Sequence, residues 1–312
     1  MMPKKTLRVD FLPRSAFKGY PDSYTLFGAI CWGIRVLEGE EALTDMLEKF
    51  KEKPPFLISS PVFIRKGKLF FPRPALEENS EEELTPESYS LRKKVKKAKY
   101  VSEDAFRAVL EGKVRTSGEL SKFTEEGEFY SSLNTIHASI NRITWTTSGG
   151  ELYNEEVYYL SLPFSVFFLF YQEEFEALVK SALRFVQLGG NRSTGMGRYK
   201  VIFGDVPEWF IKHLEPTENF ISLSPHFYDD SFVLEESLYE PKPLMGIVDN
   251  YFYAPTPAII KRKVMYIDRG SNIRVKNRKD FYGGLKEVVR DEGRNVTVYQ
   301  YGYAFPLYVR WQ

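Results

Sequence analysis

The residue types best suited to ligand binding lie in a glycine-rich stretch at residues 189–197. Glycine permits positive φ and lets a backbone approach a ligand closely, and consecutive free amides in such a loop bind anionic oxygens. Arginine and hydroxyl side chains add hydrogen bonds to phosphate. The stretch therefore predicts phosphate or nucleic-acid binding by Gly189, Gly190, Asn191, Arg192, Ser193, Thr194, Gly195, Met196, Gly197 and Arg198.

The order of elements around this glycine loop limits its chemistry. Apolar residues at helical spacing predict a helix over residues 173–187, and a strand is expected at 199–203. Walker and Rossmann loops instead open a helix, and the Gly-Lys-Ser/Thr spacing of a Walker loop is missing here. A nucleotide-hydrolysing enzyme is therefore disfavoured. A plain glycine helix cap is the alternative, but four glycines with Arg192 and Arg198 exceed what a cap requires.

The histidines and the cysteine give little support for catalysis or for a cofactor. His137, His213 and His226 are far apart without metal-ligand spacing, and the single Cys31 excludes an intramolecular disulfide and a cysteine zinc cluster. No metal or other cofactor is expected. His137 leaves one alternative open, since a histidine can be the general acid or base of metal-independent RNA cleavage. A hydrogen-bonding surface histidine is the simpler interpretation.

Charge is balanced overall but uneven along the chain. The net charge of +1 over 312 residues gives no overall attraction to polyanions, so a nucleic-acid site must come from local charge. Residues 261–279 contain eight basic residues and one acid, which indicates either phosphate binding or a solvated hairpin edge. Residues 77–99 run from acidic to basic. They form either a surface helix or an arm that contacts RNA or a protein.

The elements that must position these residues indicate an α+β protein. Helices are expected at residues 23–37, 40–50 and 281–289, and a projecting hairpin at 136–160. Strands are expected at 7–12, 164–171, 220–224, 232–234 and 259–267. The first half fits a β-α-β-β-α-β plan with insertions, and the boundary between halves is expected at 207–218. No signal peptide or membrane span is visible, so a soluble, cytoplasmic protein is expected.

Three stretches together resemble a known family. SYTLFGAICWG at 23–33, INRITWTTSGGELYNEE at 140–156 and GGNRSTGMGRYK at 189–200 are similar to CRISPR-associated proteins of the RAMP superfamily. The resemblance is to the fourth-subunit family of the type III-A (Csm) effector complex. It implies two ferredoxin-like, RRM-like domains with insertions. Residues 1–210 would form the first, carrying the hairpin and the glycine loop, and residues 211–312 the second.

The resemblance also implies a function in antiviral defence. Such proteins are non-catalytic subunits that bind and cap the 5′ handle of crRNA. They link the large polymerase-fold subunit to the backbone RAMP filament, without a membrane. The glycine loop would hold handle phosphates. Further RNA-binding residues would be Ser23 and Tyr24 at the helix start, and His137, Asn141, Arg142, Thr144 and Trp145 in a hairpin that wedges against a displaced base. The alternative within the superfamily is a metal-independent crRNA-processing endoribonuclease using His137.

Overall fold

The computed structural model describes residues 5–78, 98–121, 123, 127–140, 143–248, 260–294 and 296–310. Within these ranges the protein is α+β, as expected. The described residues contain six α-helices: α1 (Ser23–Glu38), α2 (Glu40–Glu52), α3 (Glu103–Leu110), α4 (Ser117–Ser121), α5 (Phe175–Phe185) and α6 (Glu208–Lys212). None of them is both long and apolar enough to cross a lipid bilayer. Most of the acidic-to-basic segment at 77–99 lies outside the described residues.

A seven-stranded antiparallel sheet forms the centre of the fold. Its strand order is β10-β1-β9-β4-β5-β6, and β3 pairs with the far end of β9. The strands are β1 (Lys5–Pro13), β3 (Phe56–Ile58), β4 (Val62–Arg65), β5 (Lys68–Pro72), β6 (Tyr100–Ser102), β9 (Phe164–Phe170) and β10 (Tyr199–Gly204). Because β9 is central and covered on both faces, all seven of its residues are buried.

Smaller antiparallel sheets surround this centre. The projecting hairpin consists of β7 (Ser131–Ile140) and β8 (Thr147–Tyr159), and β8 also pairs with β2 (Phe17–Lys18). Later strands form the sheets β14-β11-β17, β12-β13 and β15-β16. Their bounds are β11 (Asn219–Ser222), β12 (Pro241–Leu244), β13 (Val264–Ile267), β14 (Asn272–Arg274), β15 (Gly283–Asp291), β16 (Val296–Tyr303) and β17 (Pro306–Tyr308).

Close packing of α1 on α5 fixes the elements on either side of the glycine loop. A Cβ atom placed on Gly33 would lie 2.8 Å from the Cβ of Ala182 and 2.9 Å from Val186 Cγ1, so only glycine permits this approach. Leu183 and Val179 of α5 are fully buried in the same core. The loop that follows α5 is therefore held against a rigid helix pair.

Both halves of the chain contribute to one main core. Tyr301, Phe305 and Leu307 are buried among residues of the first half. The amide of Ile58 donates to the Tyr301 hydroxyl over 3.0 Å, across 243 positions of sequence. A smaller second cluster, which includes Phe220, Tyr282 and Tyr308, lies entirely in the second half.

Two local expectations are wrong. The expected helix at 281–289 is absent: residues 283–289 lie in β15, where they pair with the tyrosine-rich β16. Such pairing overrides a helix-compatible sequence. At 232–234 there is no strand: Phe232 makes a single bridge to Val275, and a 3₁₀ turn begins at Leu234.

Candidate functional site

Two glycines of the loop permit contacts within the protein rather than approach to a ligand. A Cβ atom on Gly197 would lie 1.9 Å from the carbonyl oxygen of Leu188, and one on Gly189 would lie 2.4 Å from that of Lys18. Both residues also have positive φ, at +73° and +78°. The loop is thus packed on itself and on residues 14–18 as a rigid unit.

Most amides of the loop are already used as donors. Gly190 donates to Lys18 O (3.2 Å), Gly197 to Ala16 O (2.8 Å) and Arg198 to the Ser15 hydroxyl (2.8 Å). The amides at 194–196 donate to carbonyls of the loop itself. The expected run of consecutive free amides is therefore wrong over residues 194–198. An anion bound here would be held mainly by side chains.

The side chains of Ser193, Thr194 and Arg198 are exposed at the loop tip. Ser193 and Thr194 lie in a short 3₁₀ turn, Arg192–Thr194, which begins after a left-handed Asn191 (φ 55°). Gly195 differs from its neighbours: its φ is +93°, but the nearest atom to an added Cβ is 3.8 Å away. The Thr194 hydroxyl donates to the Asn191 carbonyl (2.8 Å), so the tip presents the Ser193 hydroxyl and the Arg198 guanidinium as donors on a constrained backbone. These groups match phosphate oxygens.

A buried carboxylate joins the glycine loop to the hairpin. Glu155 of β8 pairs with Lys18 Nζ (2.5 Å) and accepts a hydrogen bond from Asn191 Nδ2 (2.8 Å). We call these three residues the loop–hairpin junction. The Glu155 side chain is only 8% exposed, and the hydrogen bond from Lys18 lowers the pKa of its carboxyl against the effect of burial. Sequence inspection missed the junction, because its members are far apart in the chain.

His137 lies beside this junction. Its Nε2 is 3.6 Å from Glu155 Oε2 and 2.9 Å from the Thr135 hydroxyl. The side chain is 41% exposed. The imidazole is thus accessible, with a carboxylate and a hydroxyl within reach.

The tip of the hairpin carries exposed polar and aromatic groups. Trp145 is 83% exposed and has a φ of +56°, and Thr144 is exposed next to it. Asn141 and Arg142, which were expected to act with them, lie outside the described residues. A large ring held in solvent at the end of a projecting hairpin is suited to stacking on a base.

The start of α1 is more buried than expected. Ser23 is fully buried and its hydroxyl has no hydrogen-bond partner among the described residues. Tyr24 is half-buried, and its hydroxyl donates to Asp22 Oδ2 (3.2 Å). Ser23 is therefore covered by the protein itself, and an RNA contact at this helix start stays a prediction.

Asp22, just before α1, holds the two halves together. It pairs with Arg269 (2.5 Å) and Lys242 (2.9 Å) of the second half, and its side chain is 1% exposed. Burial alone would raise the pKa of this carboxyl, but the two cations outweigh burial and lower the pKa to about 2. Asp22 is at the N-cap position of α1, yet its side chain makes no cap hydrogen bond. The Asp22 carboxylate instead forms the ion pairs with Arg269 and Lys242.

Seven of the eight basic residues at 261–279 fall into two groups. Arg269, Arg274, Arg278 and Lys279 all lie within 3.9 Å of carboxylates. Three consecutive cations, Lys261, Arg262 and Lys263, have no acidic partner among the described residues; we call them the basic triad. Lys261 Nζ donates to Gln300 Oε1 (3.4 Å), and burial lowers the pKa of its ammonium group.

The other two histidines are structural. His213 and His226 are buried, and each places Nδ1 against a backbone carbonyl, of Tyr308 and Ser224 respectively. Burial lowers the pKa of both, to about 4 for His226. Among the residues that the structure covers, no group of three or more His, Cys, Asp or Glu side chains is arranged to hold a metal ion.

Comparison with known proteins identifies the family. The pattern of the RAMP superfamily matches residues 23–200, more than half of the 312 residues. The chain belongs to the RAMP superfamily. The matched range of this RAMP protein begins at α1 and ends just after the glycine loop, and so contains the hairpin and the loop–hairpin junction.

Individual relatives of this RAMP protein are CRISPR proteins of the Csm4 type. It is 26% identical over 213 residues to the CRISPR system Cms protein Csm4 of Thermococcus onnurineus (strain NA1), covering 65% of this chain and 69% of the relative. A chain of the Csm1-Csm4 cassette in complex with cA4 has a TM-score of 0.61 at 19% identity, over 99% of both chains. A chain of the Csm3-Csm4 subcomplex of the type III-A interference complex also gives 0.61 and 19%, over 97% and 99%. At this identity the two structures establish a shared fold.

Proposed function

We propose that this RAMP protein is the Csm4-like subunit of a type III-A CRISPR effector complex. In this role it binds and caps the 5′ handle of crRNA, and links a Csm1-like polymerase-fold subunit to a Csm3-like backbone subunit in antiviral defence. The observation that carries the proposal is the loop–hairpin junction, which brings together the glycine loop and the hairpin. The similarity to Csm4, and to chains solved with Csm1 and with Csm3, supports it.

The arrangement suits single-stranded RNA. Ser193 and Arg198 offer hydrogen bonds to phosphates along the loop, and Thr194 would join them by exchanging its hydrogen bond to the Asn191 carbonyl. Trp145 stands at the end of the hairpin, where it can stack on or displace a base. Because Glu155 fixes the loop to the hairpin base, phosphate binding and base contact occur at a set spacing along one strand of RNA.

The proposed architecture has two RRM-like units, residues 1–210 and 211–312. Support for the first comes from the order β10-β1-β9-β4, with α1 and α5 as its two helices. That order matches the β-α-β-β-α-β plan once the other elements are treated as insertions. The shared core means that the two units fold against each other rather than as separate bodies.

Reconstitution of the complex tests the proposal. Arg192→Ala combined with Gly195→Asp removes a cation and adds an anion at the loop, and handle-bearing crRNA occupancy should fall about tenfold or more. The control is Arg278→Ala, an exposed arginine that lies 3.9 Å from a carboxylate of Glu218. Unchanged RNA occupancy in the loop variant would rule out the assigned RNA site.

A second candidate, RNA cleavage, is favoured by one observation: His137 and Lys18 both lie against Glu155. An imidazole and an ammonium group close together could move protons during cleavage. Incubation of the purified protein with repeat RNA in EDTA decides between the candidates. The proposed structural role predicts intact RNA, whereas cleavage that disappears in His137→Ala would establish the endoribonuclease.

A further inference from the structure

An apolar row of exposed side chains runs along β12 and continues past both of its ends. It consists of Tyr239, Pro241, Pro243, Met245 and Ile247, five alternate positions that are all exposed and uncharged. Alternate residues of an extended chain lie on the same face. A strand with one face in water normally places its polar residues outward. Here the residues that face outward are the apolar ones.

Two residues of the facing strand segment widen the apolar row. Met265 of β13 pairs with Pro243, and Ile260 bridges to Ile247. Both are more than half exposed, as are Met245 and Ile247. Single apolar side chains are common on protein surfaces, but a contiguous group of them marks a contact site. The row therefore has the composition of a docking surface.

The other side of the β12–β13 pair is held by the rest of the chain. Lys242, between the two prolines, pairs through Nζ with Asp22 of the first half (2.9 Å). The hydroxyl of buried Tyr266 in β13 donates to the backbone carbonyl of Tyr301 (2.7 Å). The apolar row is thus presented on a fixed support.

The prolines of β12 determine how a partner can meet the row. Pro241 and Pro243 lack the amide hydrogens that an additional strand would need, and proline on an edge strand prevents such pairing. A partner therefore contacts the row through side chains rather than by extending the sheet. Methionine adapts its shape to a partner, and an apolar surface of this kind suits the apolar stripe of an amphipathic helix.

The size of the row excludes a dimer held by this surface alone. The eight residue steps from Tyr239 to Ile247, at about 3.3 Å each, give a length of roughly 26 Å. A helix laid along the row covers a width of about 10 Å. The resulting area, on the order of 300 Å², is well below the roughly 800 Å² that each partner buries in a stable interface. The row therefore fits a subunit that is also bound elsewhere in an assembly.

The border of the row beside β13 is basic. Arg262 and Lys263 are exposed there, and neither has an acidic partner within the ranges that the structure describes. Complementary charge fixes the register of two protein surfaces. The occupant of the row is thus expected to carry acidic residues along this border.

We propose that the apolar row docks an amphipathic α-helix of another protein subunit. The apolar stripe of that helix lies against Met245, Ile247 and Met265, and its acidic residues lie beside Arg262 and Lys263. The inference rests on the proposed function, which makes this chain part of a multisubunit complex, and assigns one docking face within it. The face lies outside residues 23–200, the range that matches the RAMP superfamily.

Photo-crosslinking in the reconstituted complex provides the first test. p-Benzoylphenylalanine takes the place of Met245 in one preparation and of Ile211, an exposed residue of α6, in the control. From position 245, mass spectrometry should find a helical peptide of one other subunit, with apolar residues three and four positions apart and acidic neighbours. The control should not capture that peptide. Crosslinks to crRNA, to a second copy of this chain, to a peptide without that pattern or to nothing would overturn the inference.

The affinity for the crosslinked subunit provides the second test. Ile247→Glu places a charge in the row and should weaken binding about tenfold or more, whereas Ile211→Glu should not. Both residues are exposed, so the melting temperature should stay native in both variants. Lys263→Glu should also weaken binding, and a lysine in place of the neighbouring acid of the partner should restore it. Native affinity in Ile247→Glu, or no weakening by Lys263→Glu, would overturn the inference.

Measurement of handle RNA in the same preparations separates this inference from the proposed function. If the helix crosslinks at position 245 but handle RNA does not bind, the docking face stands and the crRNA role fails. If handle RNA binds and Ile247→Glu leaves subunit affinity unchanged, the crRNA role stands and the docking assignment is wrong.

Discussion

Asn191 of the glycine loop donates to Glu155 of the hairpin over 2.8 Å, although 36 residues separate them in sequence. The same carboxylate pairs with Lys18, which itself lies against Gly190. Loop, hairpin and the β2 segment are therefore coupled through one buried acid. Movement of the hairpin relative to the loop requires this acid to lose its partners.

Replacing Glu155 should loosen that coupling. Glu155→Gln removes the charge that Lys18 pairs with, and we expect a loss of about 1–2 kcal/mol in the free energy of unfolding. Amide exchange at Gly190 and Met196 should accelerate. Urea denaturation and hydrogen exchange measure these effects. Glu156→Gln, at the exposed neighbouring position on β8, is the control, and equal losses for both variants would contradict the coupling.

The two kinds of loop glycine should respond differently to alanine. Gly195→Ala and Gly197→Ala share the cost of positive φ, roughly 1–2 kcal/mol. Only at Gly197 does the new Cβ meet a backbone oxygen, that of Leu188. Gly197→Ala should therefore lower the melting temperature further and displace the loop, with a larger loss of crRNA binding. Calorimetry and RNA binding check this order, and a larger effect at Gly195 would refute it.

Asp22 should be the most sensitive ion-pair position between the halves. Asp22→Asn leaves Arg269 mostly buried without its carboxylate, which costs about 3–5 kcal/mol. Glu218→Gln breaks a solvent-exposed pair with Arg274 and should cost less than about 1 kcal/mol. Chemical denaturation of both variants measures the difference. If both variants lost a similar amount of unfolding free energy, the ion pair of Asp22 and Arg269 would be as accessible to water as the exposed pair.

Stability should fall as the pH drops below about 6.5. Buried His226 has a pKa lowered to about 4, whereas the unfolded chain takes up a proton at the ordinary value near 6.5. Between these two pKa values the unfolded state binds the proton more tightly than the folded state does. Protonation of His226 therefore lowers the free energy of unfolding by up to roughly 3 kcal/mol. His226→Gln should flatten the stability profile between pH 6.5 and 4. An unchanged slope would exclude His226 as the cause.

The basic triad should contribute to the salt dependence of RNA binding. Replacing Lys261, Arg262 and Lys263 with glutamine should reduce the slope of log affinity against log salt by up to about 2, at roughly 0.7 per phosphate contact. Arg274→Gln removes a cation already paired with carboxylates and should change the slope little. Titrations of the complex at several salt concentrations compare the two. If the native protein and the variant without the basic triad had identical slopes, the triad would not contact RNA phosphates.

The sequence predicts regular elements better than it predicts their partners. Helices α1 and α5 and strand β9 follow from local periodicity and burial, and the structure confirms them. The segment at 281–289 was misread because its strand depends on pairing with β16, which no local pattern reveals. The glycine loop was located correctly in the chain. That the amides of Gly190, Gly197 and Arg198 are already hydrogen-bonded could not be predicted, because their acceptors lie at residues 15–18.

In the candidate site, too, the positions of residues were easier to predict than their partners. Arg198 and Trp145 are exposed, as residue type and position suggested. Ser23 is buried because the neighbouring Asp22 forms an ion pair with Arg269, which places the start of α1 against the second half of the chain. Glu155 was overlooked because a single glutamate among polar strand residues carries no local signal. Its role depends on Lys18 and Asn191, which only the folded chain brings to it.

The late position of β16 and β17 has a consequence for biosynthesis. Tyr301 and Phe305 cover Ile58 and Phe210 in the main core, so residues translated much earlier remain uncovered until the ribosome has released this segment. A nascent chain that already displays the glycine loop therefore still exposes apolar surface. We expect loading onto crRNA to follow the synthesis and folding of β16 and β17 rather than precede it, with chaperones protecting the chain in the interval.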